Sequence, residues 1–129
     1  MNLKNILIAS LLVLISLPNF AQEAKAEKQL EKAIELTQKS DKIMKEGLQL
    51  TEKQIPLVSE INLDFSKKMV ALFAKPGSKF GKIGDMKKNV KDRDAKLKKV
   101  LTADQMELFE DKVSSKVKKE MRKTVNKDS

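Results

Sequence analysis

The sequence predicts an all-α fold of about four helices arranged as antiparallel helical hairpins, and three observations carry that expectation. The phrase Leu-Thr-x-x-Gln occurs twice, as Leu50-Thr51-Glu52-Lys53-Gln54 and as Leu101-Thr102-Ala103-Asp104-Gln105. Apolar residues recur at three- and four-residue steps through most of the chain beyond residue 22. No stretch alternates apolar and polar residues as a half-buried strand would, and no hairpin-turn signal appears. The repeated phrase has a direct physical reading. Thr followed three residues later by Gln is a capping box, in which the hydroxyl accepts from the N3 amide and the Gln side chain reaches back to the Thr amide. Leu at the preceding position and Ile55 or Met106 at N4 add a hydrophobic staple. Each such cap contributes about 1 kcal/mol. Thr51 and Thr102 therefore each mark the start of a helix.

The chain begins Met1-Asn2-Leu3-Lys4, continues with an apolar run from Ile6 to Leu17, and breaks at Pro18. A basic start, a short apolar stretch and a breaker read as a signal peptide over residues 1–21, cleaved after Ala21. The run falls short of the roughly 20 residues needed to span a bilayer. This leaves one exported helical domain, residues 22–129. Its first helix is predicted over Glu23–Glu46, with Ala26, Leu30, Ala33, Ile34, Thr37, Met44 and Leu48 as a narrow apolar stripe. Glu35 lies four residues before Lys39, a favourable pairing, and Gly47 offers a left-handed C-cap. The short connection that follows folds the next helix back antiparallel.

The second helix is expected from Thr51 to Ala74 with a stripe of Ile55, Val58, Ile61, Phe65, Met69, Leu72 and Phe73. Pro56 forfeits an early helical hydrogen bond, and Pro76-Gly77 ends the helix. Residues 75–84, with three glycines, one proline and three lysines, read as a mobile basic loop. A third helix is predicted over Asp85–Val100, with Met86, Val90, Leu97 and Val100 as a thin apolar edge. The fourth begins at Thr102 and presents Met106, Phe109, Val113, Val117, Met121 and Val125, fraying over 126–129.

Composition excludes much chemistry. The chain has no Cys, His, Trp or Tyr. It can form no disulfide and no Cys- or His-based nucleophile–base pair, so it is expected to be no enzyme. No cofactor is implied. Metal would have to bind through carboxylates alone, and no calcium-loop spacing surrounds Asp92 and Asp94, so no metal is expected. The loop Gly77-Ser78-Lys79-Phe80-Gly81-Lys82-Ile83 is one residue short of a phosphate-binding loop and has Ile where a hydroxyl must hold magnesium. The net charge is +9, concentrated late: residues 85–129 hold fourteen basic against nine acidic side chains. Lysine pairs such as Lys87-Lys88 and Lys118-Lys119 lack the aromatic platforms of nucleic-acid modules, so no nucleic acid is expected as a partner.

The paired phrases, Leu50, Thr51 and Gln54 with Leu101, Thr102 and Gln105, resemble the signature of the Spy/CpxP family of periplasmic stress proteins. The lead-in Lys96-Leu97-Lys98-Lys99-Val100 is similar to that family as well, and the likeness covers residues 48–123. The resemblance implies a periplasmic protein, a helical hairpin that pairs into a thin curved homodimer, and one of two activities. One is ATP-independent chaperone action on unfolding proteins. The other is regulation of an envelope-stress sensor kinase. The chain departs from the family pattern in its long first helix and short glycine-rich centre, and it lacks the His-rich segments of metal-responsive relatives.

The residues fit the chaperone expectation in their own terms. A stripe from Ile55 to Phe73 that is partly uncovered and ringed by lysines would attract acidic clients and then hold their apolar segments. Met44, Met69, Met86, Met106 and Met121 would supply adaptable contacts. The Leu-Thr-x-x-Gln residues themselves are assigned to capping and orienting helices. Weak contact with a membrane surface is a third expectation.

Overall fold

Residues rich in Ala, Leu, Glu and Lys wind the first element, α1, over Phe20–Leu48 in the computed structural model, which describes residues 20–127. The expected signal peptide lies outside the described residues except for its last two positions, which belong to α1. The buried stripe of α1 is Ala33, Leu36, Thr37, Ser40, Met44 and Leu48. Leu30 and Ile34, which the periodicity places inward, are exposed, and Leu36 takes the inward place.

The end of α1 differs from expectation in an informative way. Gly47 is helical, and the left-handed turn falls on Gln49, with φ of 52°. Leu50 N donates to Lys45 O, the long-range bond of a Schellman ending. Glycine at 47 serves close packing instead: a Cβ there would stand 2.9 Å from Val113 Cγ2.

The second helix, α2, spans Gln54–Ala74, so regular helix begins three residues later than expected. Pro56 is the cause. It has no N–H for the Glu52 carbonyl, so the first turn closes on Thr51 O alone, from Gln54 N and Ile55 N, each at 3.0 Å. A larger correction concerns the expected mobile loop at 75–84. The third helix, α3, spans Lys79–Val100, leaving a turn of only residues 75–78. Gly77 takes φ of 121° at this turn, and Ser78 caps the new helix by accepting from Gly81 N. Lys82 is buried, and its Nζ donates to Phe73 O and Lys75 O at the end of α2. These ties offset the poor helix propensity of Gly81 and Gly84.

The fourth helix, α4, is α-helical over Ala103–Leu108 and Ser114–Val125, joined by a π-helical segment at Phe109–Val113. Its inward residues Phe109, Val113, Val117 and Met121 follow one another at steps of four. Such a run drifts off one face of a 3.6-residue helix, and i→i+5 bonding widens the turn so that Phe109 and Val113 stay in register.

The four helices pack antiparallel. In sequence order α1 lies on α2 and α2 on α3, while α4 returns along α1. Near the junctions that carry the two Leu-Thr-x-x-Gln phrases, the core gathers Met44, Leu48, Val58, Leu97, Leu101 and Phe109 with their neighbours. A second cluster of Leu36, Phe65, Met69, Leu72 and Met121 lies further along the helices. Burying each large apolar side chain contributes about 1.5–3 kcal/mol. No strand occurs among the described residues, and no described helix is long and apolar enough to cross a membrane.

Candidate functional site

The two capping phrases meet in space. Thr51 N donates to Gln54 Oε1 at 3.0 Å, and Gln54 N donates to Thr51 Oγ1 at 3.3 Å. The second phrase repeats the pattern, with Thr102 N to Gln105 Oε1 at 3.0 Å and Gln105 N to Thr102 Oγ1 at 3.2 Å. The amides of Gln54 and Gln105 then pair with each other. Gln54 Nε2 donates to Gln105 Oε1 at 2.7 Å, and Gln105 Nε2 donates to Gln54 Oε1 at 3.0 Å. Each Nε2 also donates to a helix-end carbonyl across the corner: Gln54 to Val100 O at 3.1 Å, Gln105 to Leu48 O at 3.3 Å.

Both amides are thereby saturated, each with two bonds donated and two accepted. Val100 and Leu48 end α3 and α1, where carbonyls lack intrahelical donors. One amide pair therefore ties together the ends of all four helices. Leu101 is buried beneath this corner, and Leu50 is half-buried against the same core. Sequence reading finds both capping boxes but not their pairing, since nothing in either phrase states that the other lies beside it.

The second feature opens between α3 and α4, which pack closely only near their shared corner. A groove of about 950 Å³ runs along them, with Phe65 and Met69 of α2 at its floor. Met86 and Val90 form one wall, and Val117 and Met121 the other. The exposed lysines Lys87, Lys91, Lys98 and Lys118 stand along its rim, with Asp94 and Glu110 as acidic members.

Arg93 is built into the floor and is only 8 % exposed. Its guanidinium lies 4.5 Å from the Phe65 ring centre and 5.1 Å from that of Phe109, so it bridges α2 and α4 by cation–π contact. Asp94 Oδ1 accepts from its Nε and lies 3.0 Å from its Nη2. Periodicity missed Arg93 because a charged residue on an apolar edge reads as a defect in the stripe.

The seven stripe residues of α2 divide differently from expectation. Val58, Phe65, Met69 and Leu72 are buried, while Ile55, Ile61 and Phe73 are half-buried. The helix is central to the packing, so α1, α3 and α4 cover most of that face. Only Phe65 and Met69 reach the groove. Met44, Met69, Met106 and Met121 are likewise buried, and Met86 is half-buried. Of the large apolar side chains that are exposed, Ile83 lines the groove, and Phe20, Leu30, Ile34, Leu57 and Phe80 lie outside it. No group of three or more metal-ligating side chains gathers among the described residues.

A domain-of-unknown-function family, DUF4890, has a model that matches residues 21–109, a stretch that contains both Leu-Thr-x-x-Gln phrases. No curated protein and no solved structure matches the chain.

Proposed function

The chain belongs to the DUF4890 family, and we propose that it acts as an exported, ATP-independent holdase that binds unfolding proteins in the periplasm. The observation that carries this reading is the open groove between α3 and α4, with an apolar floor and a lysine rim. An apolar trough accepts exposed hydrophobic segments of many sequences, and the rim raises the encounter rate with acidic chains. The absence of Cys and His fits a binding role better than a catalytic one. The paired Leu-Thr-x-x-Gln phrases support kinship with Spy/CpxP proteins, and a thin curved homodimer belongs to the same proposal. Light scattering of the exported protein that gives the mass of one chain would remove the dimer from it.

The test is suppression of aggregation. A thermally unfolding acidic client is mixed with a severalfold molar excess of the chain, without nucleotide, and turbidity is followed. Suppression is expected, and it should weaken in a Lys91→Glu, Lys98→Glu, Lys118→Glu variant, whose three positions are exposed. Turbidity identical to that of client alone would sink the reading.

The same basic rim supports a second reading, docking on the exported domain of an envelope-stress sensor kinase. That contact should lose affinity steeply between low and physiological salt. Sensor binding insensitive to salt would argue against it.

A further inference from the structure

The pole of the molecule opposite the paired glutamines carries an apolar feature at the end of the groove, where Ile83 is part of the lining and Phe80 projects beyond it. Phe80 is 86 % exposed and Ile83 is 40 % exposed, three residues apart in the first turns of α3. Residues three apart share a helix face, so the two side chains form one small apolar wedge. The wedge is held on a built support. Gly77 makes the turn, Ser78 caps α3, and the Lys82 ammonium is clamped onto the last carbonyls of α2.

Its surroundings are cationic. Between Lys75 and Lys88 the chain carries Lys75, Lys79, Lys82, Lys87 and Lys88 against the single acid Asp85. Lys75, Lys79, Lys87 and Lys88 are exposed and have no ion pair among the described residues. The N-terminal part of α1 lies beside the end of α2 and is charge-balanced, with Glu23, Glu27 and Glu31 against Lys25, Lys28 and Lys32. Lys25 lines a shallow pocket there with Phe73 and Ala74.

We propose that the α2–α3 turn is a membrane-docking tip, which seats Phe80 and Ile83 in the interfacial region of an anionic bilayer while the surrounding lysines engage lipid phosphates. The charge complementarity is direct, since each lysine near an anionic leaflet strengthens binding about fivefold and the attraction decays within a Debye length. Lysine stems can lie along the apolar boundary with their ammonium groups in the headgroup layer. Phe80 projects outside the groove at the end of the molecule, a position that suits a bilayer surface, whereas a hydrophobic protein segment is better held along the groove itself.

The chain has no Trp or Tyr, so a Phe80→Trp variant of the exported chain places one fluorophore at the tip. Vesicles of phosphatidylglycerol and phosphatidylcholine should move its emission to shorter wavelength, and pure phosphatidylcholine should not. The exported form from Gln22 is used because the start of α1 lies beside the tip, and the apolar run Ile6–Leu17 attached there would bring residue 80 to a vesicle by itself. Phe80→Ser with Ile83→Ser should weaken vesicle binding about tenfold or more, the transfer cost of an apolar side chain. Lys75→Ala with Lys79→Ala should weaken it by a similar factor. Circular dichroism should stay unchanged in both. Emission from the Phe80→Trp variant that does not shift with anionic vesicles would overturn the proposal. So would an equal shift on adding dextran sulfate, or one seen only on adding an unfolding client.

Discussion

Gln54 and Gln105 show how little side-chain chemistry is needed to hold four helix ends. Each amide closes its own capping box, pairs with the other and satisfies a carbonyl of a third or fourth helix. Neither residue acts alone, so their energies are expected to be coupled. Gln54→Ala and Gln105→Ala should each destabilise the chain by about 1–3 kcal/mol, since each leaves polar partners unpaired in a half-buried corner. The double variant should cost less than the sum by about 1 kcal/mol or more. Urea denaturation of the four proteins in the cycle measures this. Strict additivity would mean that the amide pair carries no energy of its own. Arg93 makes the complementary point. Its charge is kept in the core by two aromatic faces and by Asp94, and no periodicity in the sequence signals that role.

Within the helices, glycine positions separate what the backbone requires from what it tolerates. Gly77 has φ of 121°, a region that other residues enter only with strain, so Gly77→Ala should destabilise by about 1–3 kcal/mol. Gly81 and Gly84 are helical, and an added Cβ would meet nothing closer than 3.9 Å. Gly81→Ala and Gly84→Ala should each stabilise by about 0.5–1 kcal/mol through helix propensity alone. Thermal melts of the three variants check the contrast. A loop over 79–84 would show no such gain, so the same melts test where α3 begins. The π-helical segment of α4 is the other local departure, and the run of four-residue steps from Phe109 to Met121 was its visible sign.

Surface charges tie the helices together across the assembled bundle. Asp64 on α2 accepts from Lys96 of α3 at 3.0 Å and lies 3.1 Å from Lys68. The Lys96 hydrogen bond first, and then that of Lys68, holds the Asp64 carboxyl below its ordinary range. A depressed carboxylate stabilises the fold above its unfolded pKa of about 3.9, and the contribution is lost as pH falls through the lower folded value. Asp64 is nearly half exposed, which limits the contribution to under about 1 kcal/mol. Asp64→Asn should therefore lower stability slightly at pH 7 in low salt, and the difference should vanish near pH 2 and shrink in high salt. Denaturation at both pH values provides the measurement. On the opposite side, Lys39 pairs with Glu35 at 2.9 Å and approaches Glu120 of α4 at 3.8 Å. The hydrogen bond between them lowers the Glu35 carboxyl and raises the Lys39 ammonium. That pair weakens as pH falls through the Glu35 range and again as it rises through the Lys39 range.

Helix content, the two capping boxes, the Glu35–Lys39 pair and most of the inward residues of α4 were legible from the chain alone. All of them depend on neighbours within four or five positions, where spacing is itself geometry. The pairing of Gln54 with Gln105, the burial of Arg93, the early start of α3 and the groove beside α4 were not legible. The two glutamines stand 51 positions apart, and the Lys82 clamp, the Arg93 stacking and the groove all require whole helices to be laid against one another. Propensity and period describe each rod separately, and the contacts between rods chose which of their faces would be filled and which left open.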